Sequence, residues 1–203
     1  MANQVYIFVN GIFANPGQLE AWTDRAVTWV QTRTPHRAEK FEYFSDAILR
    51  RTRQQYRAER LAHLMTMYNG WVVNLVGHSN GCDVILRALP LVGRSVGDLD
   101  LVAAACDANF ARNGLNEYLR LGKVKGVDVY CGGKDWAMVV ARWTRWLTLG
   151  LAGYGDLGGS GPVNLSPDVA SKVRVVREPE YGHSEWFGAP QFDKLMGELI
   201  ARN

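Results

Sequence analysis

The chain has 203 residues, 47% of them hydrophobic and 21% charged, which suits one well-buried domain and is short for two. A formal charge of +3 is too small to imply a nucleic-acid partner, and three cysteines that match no zinc spacing argue against a disulfide framework or a metal site and suit a reducing, cytoplasmic compartment. The opening Met1-Ala2-Asn3-Gln4 lacks the basic segment of a secretory leader, and the longest apolar stretch, residues 136–152, is broken by Arg142 and Arg145, so stable membrane insertion is not expected.

The first predicted element is a strand over residues 5–9, followed by a loop that begins Asn10-Gly11-Ile12-Phe13. Leu19, Trp22, Ala26, Trp29 and Val30 then share one face of a helix. A second strand is predicted over residues 40–44. The Arg-rich run Arg50-Arg51-Thr52-Arg53, with Arg57 and Arg60, has only Tyr56 as a stacking aromatic, so it reads as a solvated helix face and not as a nucleic-acid reader. Leu61, Leu64, Met65 and Tyr68 form the apolar side of that helix.

A third strand over residues 71–76 leads into a helix carrying Cys82, Ile85, Leu86 and Leu89 at helical spacing, ended by Pro90. Strands follow at residues 99–106, 127–131 and 172–177, and the Gly-rich stretch 150–161 between the last two reads as a long loop. The last helix starts near Pro190 and buries Phe192, Leu195, Met196 and Leu199. Several strands are continuous apolar runs, as sheets covered on both faces require. The pattern predicts a single α/β domain over residues 1–203: a mostly parallel sheet of about six strands with helices on both faces, and a small lid or loop insertion at about 136–168.

Between the third strand and its helix stands Gly77-His78-Ser79-Asn80-Gly81, a G-x-S-x-G pattern in the strand–turn–helix context that the motif requires. A strand turning sharply into a helix strains its central residue and demands small neighbours two positions away, here Gly77 and Gly81. The turn lifts the Ser79 hydroxyl above the strand ends, beside a helix N-terminus that favours negative charge. The plain alternative is a Gly-rich turn with Ser79 as a helix cap. On these residues the chain resembles the α/β-hydrolase family over nearly its whole length, as a minimal version that lacks the first two strands of larger members.

Of the four histidines, His36 and His63 suit solvated or packing roles, and His78 must point away from the nucleophile beside it. His183 follows the last strand in Tyr181-Gly182-His183-Ser184, the position from which the family's histidine reaches its serine, and a neutral imidazole there can act as general base and then acid. The resemblance implies an acid after the penultimate strand. Asp135, after Gly132-Gly133-Lys134, matches it, with Asp107 one strand earlier as the alternative; Glu178 and Asp156 stand in poorer contexts.

The family's oxyanion hole takes one backbone N–H from the residue after the nucleophile, here Asn80, and one from the loop after the first strand. Ile12 is the candidate second donor, with Phe13 next, and Asn10 stands where the family often has histidine. No phosphate-binding loop, metal or organic cofactor is implied. The Trp-rich segment 136–149 reads either as a core helix or as a lid walling an acyl site. The expected activity is that of an esterase or lipase-like serine hydrolase cleaving a small-molecule carboxylic ester through an acyl-enzyme. An acyltransferase or thioesterase with the same triad is the alternative, as is a catalytically silent binding protein on the same fold.

Overall fold

The computed structural model describes residues 3–11, 21–43, 50–135 and 155–201. They form a six-stranded sheet, β1 (Gln4–Val9), β2 (Arg37–Phe41), β3 (Val72–His78), β4 (Val96–Val102), β5 (Val124–Gly132) and β6 (Val173–Glu178), in the order β2-β1-β3-β4-β5-β6. Every neighbouring pair is parallel. The described helices are α1 (Trp22–Arg33), α2 (Arg50–Thr66), α3 (Asn80–Ala88), α4 (Leu115–Arg120), α5 (Leu157–Ser160) and α6 (Gln191–Ala201).

Right-handed crossovers decide which helix covers which face. The chain steps one way from β1 to β2, then returns across β1 to β3 and continues in that direction. Accordingly α1 and α6 share one face, where Trp22, Ala26, Val30, Phe192, Leu195 and Met196 pack on Tyr6, Phe8, Val76, Val102 and Tyr130. The other face carries α2 to α5, with Leu61, Met65, Ile85, Leu115, Leu119 and Leu157 on Val5, Ile7, Leu75, Leu99, Leu101, Val127 and Val129. Alternate residues of each central strand enter opposite cores, which is why those strands read as unbroken apolar runs. The chain's reversal falls between β1 and β3, and the carboxyl ends of the strands at such a switch point are where sheets of this kind carry their sites.

Four local expectations are corrected. The second strand begins at Arg37 and ends at Phe41, ahead of the expected 40–44; it buries only Ala38 and Phe41, which face opposite cores, so this edge strand offers neither an apolar run nor an alternation to read. The fourth runs from Val96 and stops at Val102; Ala103 turns to φ 45° and the apolar run continues as a turn against the elbow. In the Gly-rich stretch, Gly155 and Gly158 are close-packing residues: a Cβ would lie 1.8 Å from Cys106 O and 2.3 Å from Ala104 N, so the glycines let α5 and the residues before it press on the turn that follows β4. Arg57 is 2% exposed and thus no part of a solvated face. Segment 136–154, with most of the expected lid, lies outside the described residues. Among those described, no helix is long and apolar enough to cross a membrane.

Candidate active site

Ser79 sits in the sharp turn from β3 into α3 with φ 54° and ψ −122°, a conformation that L-residues rarely adopt. The surroundings enforce it. Ser79 N–H donates to Val102 O at 3.0 Å, and Ser79 O accepts from Cys82 N–H at 3.2 Å and Ala105 N–H at 3.1 Å. A Cβ on Gly77 would meet Ile85 Cδ1 at 2.7 Å, and one on Gly81 would meet the carbonyl oxygens of Val9 and Asn10 at 2.5 Å. Gly81 therefore does more than permit the turn: it lets the start of α3 press against the end of β1. The Ser79 side chain makes no capping hydrogen bond, so the helix-cap alternative lacks the contact that would define it.

The loops after β5 and β6 bring an acid to a base. Gly133 N–H donates to Glu178 O and Lys134 N–H to Tyr181 O, both at 3.0 Å, zipping the two loops together. The approach depends on Gly132 and Gly133, where a Cβ would stand 2.5 Å from Tyr181 O and Pro179 O. At the head of this seam Asp135 Oδ2 lies 2.8 Å from His183 Nδ1, with the Asp135 side chain 1% exposed and that of His183 20% exposed. A carboxylate can only accept, so this contact places the proton on Nδ1 and leaves Nε2 as the basic nitrogen. No hydrogen bond joins Ser79 Oγ to His183 among the described residues. Relay bonds of this kind are often long before substrate binds.

Asp107 is engaged elsewhere. Its carboxylate pairs with the Arg112 guanidinium and accepts from Asn109 N–H at 3.1 Å, within a turn after β4. Asn80 opens α3 directly after the nucleophile, so its backbone N–H lies in the first turn of the helix, at the end that favours negative charge. Ile12 and Phe13 lie outside the described residues. Asn10 Oδ1, by contrast, accepts from Gly11 N–H at 3.0 Å and Trp22 Nε1–H at 2.9 Å, fastening the loop that leaves β1 to α1.

His78, set aside on sequence grounds, lies within the site. Its ring is 4.8 Å from that of His183, and its Nε2 is 3.0 Å from the His183 carbonyl oxygen. A carbonyl accepts only, so His78 carries its proton on Nε2. Burial, followed by the adjacent His183, lowers the His78 pKa to about 3, and the ring is neutral at ordinary pH. No local spacing could reveal this role, because the partner is a backbone carbonyl 105 positions away. Among the described residues, no cluster of His, Cys, Asp and Glu is arranged to hold a metal ion.

No protein-family model matches this sequence, and no curated protein matches it. Solved structures do. Alpha/beta hydrolase domain-containing protein 10 from mouse is 17% identical, with a TM-score of 0.60 over 98% of this chain and 90% of its own. Esterase PE8 is 15% identical, with a TM-score of 0.57 over 98% and 93%, respectively. Acyl-protein thioesterase 2 from Zea mays is 13% identical, with a TM-score of 0.54 over 98% and 94%. At such identities the likeness establishes architecture: the chain has the α/β-hydrolase fold, in a compact form.

Proposed function

We propose that the chain is a serine hydrolase that cleaves small-molecule carboxylic esters through an acyl-enzyme. Ser79 is the nucleophile, His183 the general base and then acid, and Asp135 the orienting carboxylate. The observation that carries the reading is the 2.8 Å bond that His183 Nδ1–H donates to the buried Asp135 carboxylate, in a loop whose His183 carbonyl is tied to His78, the residue before a strained serine.

With Nδ1–H held by Asp135, His183 Nε2 takes the Ser79 proton as Oγ attacks the acyl carbon. The tetrahedral oxyanion is stabilised by Asn80 N–H at the start of α3. The second donor is assigned, as the family pattern implies, to the loop after β1 at Ile12, with Phe13 next. Collapse breaks the bond to the leaving alkoxide, which takes the proton from Nε2. Water then repeats the sequence on the acyl-enzyme and releases the acid. The esterase and the thioesterase among the structural neighbours favour acyl chemistry, without choosing a substrate.

A series of p-nitrophenyl esters of increasing chain length tests the reading. Turnover is expected for at least the short members, and Ser79→Ala should lower kcat by roughly 10⁶-fold, as loss of the nucleophile does in subtilisin. Turnover near the wild-type rate in purified Ser79→Ala protein would contradict it.

A further inference from the structure

An oxyanion hole is assembled from two elements that share no covalent neighbour. In the reading above one donor is Asn80 N–H at the start of α3, and the element that leads to the other leaves β1 through Asn10. Their separation must hold to within about 0.5 Å for the donors to meet a developing charge. One phenol spans the gap. Tyr43, buried two residues beyond β2, donates its hydroxyl proton to Asn10 O at 2.7 Å and accepts from Asn80 Nδ2 at 3.1 Å. A phenol has a single proton to give, so the direction of this chain is set: Asn80 to Tyr43 to Asn10.

The far side of Asn80 is held as well. Its Oδ1 accepts from Gln54 Nε2 at 2.9 Å, and Gln54 Oε1 accepts from Arg57 Nη1 at 3.0 Å. The Arg57 guanidinium lies 4.8 Å from the centroid of the Tyr43 ring, which closes the circuit on the phenol where it began. All four side chains are buried. Burying a guanidinium and two amides stabilises a fold less than apolar packing of the same volume, so the circuit is better understood as fixing geometry. Gly81 makes the bridge short enough to span, since the carbonyls of Val9 and Asn10 rest where its Cβ would be.

We infer that Tyr43 is a positioning residue for the oxyanion hole, its hydroxyl setting the distance between the Asn80 amide and the backbone that leaves β1. The inference rests on the serine-hydrolase reading above. Tyr43 touches no reacting atom and acts through Asn10 and Asn80. Because the oxyanion exists only in the transition state and the tetrahedral intermediate, the effect belongs in kcat and not in substrate binding.

Tyr43→Phe removes one oxygen and keeps the ring beneath Arg57. In the full chain, kcat for an activated ester should fall about 10- to 100-fold, less than the 10²–10³ that loss of an entire oxyanion donor costs. KM should stay within about twofold, and affinity for a trifluoromethyl ketone, which forms a tetrahedral adduct, should fall by the same factor as kcat/KM. Asn80→Ala, which keeps the backbone donor but cuts the other end of the bridge, should behave alike, and the double variant should be no worse than the worse single. If Tyr43→Phe does not fold, Asn80→Ala is read on the same quantities. Wild-type kcat and ketone affinity in either folded variant, or a loss confined to melting temperature, overturns the role of Tyr43 while Ser79-dependent turnover in the wild type leaves the hydrolase reading standing. Absence of Ser79-dependent turnover in the wild type overturns both.

Discussion

Replacing Asp135 with Asn should lower kcat by about 10⁴-fold, the cost of the same change in a serine protease triad. The structure shows where that loss would arise. The carboxylate is 1% exposed, and its Oδ2 meets His183 Nδ1 at 2.8 Å. Asn has the same shape but offers a donor where a carboxylate oxygen stood. With the amide nitrogen toward the ring, Nδ1 must accept, the proton moves to Nε2, and the imidazole can no longer take the Ser79 proton. With the amide oxygen toward the ring, the tautomer is right but no negative charge faces the imidazolium as it forms. Either arrangement draws on an activation penalty of about 5.5 kcal/mol, which is what 10⁴ represents. Asp107→Asn alters only a turn in which the carboxylate pairs with Arg112 at 30% side-chain exposure, and should change kcat by less than about threefold. Both variants should be assayed with one activated ester after thermal melts show that each is folded. Collapse of Asp107→Asn with Asp135→Asn within tenfold of wild type (a loss of no more than about 1.4 kcal/mol) would refute the assignment.

Gly81→Ala places a Cβ 2.5 Å from two backbone carbonyl oxygens that cannot swing aside, so it should destabilise by roughly 1–3 kcal/mol and lower kcat as β1 and α3 part; an unchanged melting temperature would contradict the packing. His78→Gln addresses pH. Folded His78 titrates at about 3, because burial opposes its charge, whereas the unfolded residue titrates near 6.5. As pH falls below about 6.5 the unfolded chain binds a proton that the folded chain refuses, so the His78 contribution to stability is lost by up to about 1.4 kcal/mol per pH unit until about 3. The stability advantage of wild type over His78→Gln at pH 8 should therefore shrink by pH 4.5 in chemical denaturation; a constant difference would refute the buried neutral ring.

The parts of this architecture that were legible from sequence are those in which a local rule has one solution. An unbroken apolar strand, two glycines flanking a serine and a periodic helix describe the elbow without reference to anything distant. Asp135 and His183 stand out because each follows a strand in a Gly-containing loop, and the structure brings them into contact. Where several solutions satisfy the local rule, the reading drifts. β2, at the sheet edge, buries only Ala38 and Phe41, one on each face, and Ala103 to Cys106 stay apolar after β4 has ended because the turn is itself buried. Contacts between positions far apart left no trace at all. Arg57 in an Arg-rich helix cannot be told from its solvated neighbours until Gln54 and Tyr43 are seen around it, and His78 shows its place only once the His183 carbonyl is beside it. The glycines at 155 and 158 suggested freedom, whereas what they supply is close approach of two backbones.

The central claim is that Ser79 is a nucleophile activated by His183. Incubation of the purified chain with a fluorophosphonate, followed by mass spectrometry of its peptides, tests this without knowledge of the substrate. One phosphonyl group should be found on the peptide that carries Ser79, absent from Ser79→Ala and strongly slowed in His183→Ala. A chain that takes up no label, or takes it up at another residue with Ser79 replaced, would contradict the account.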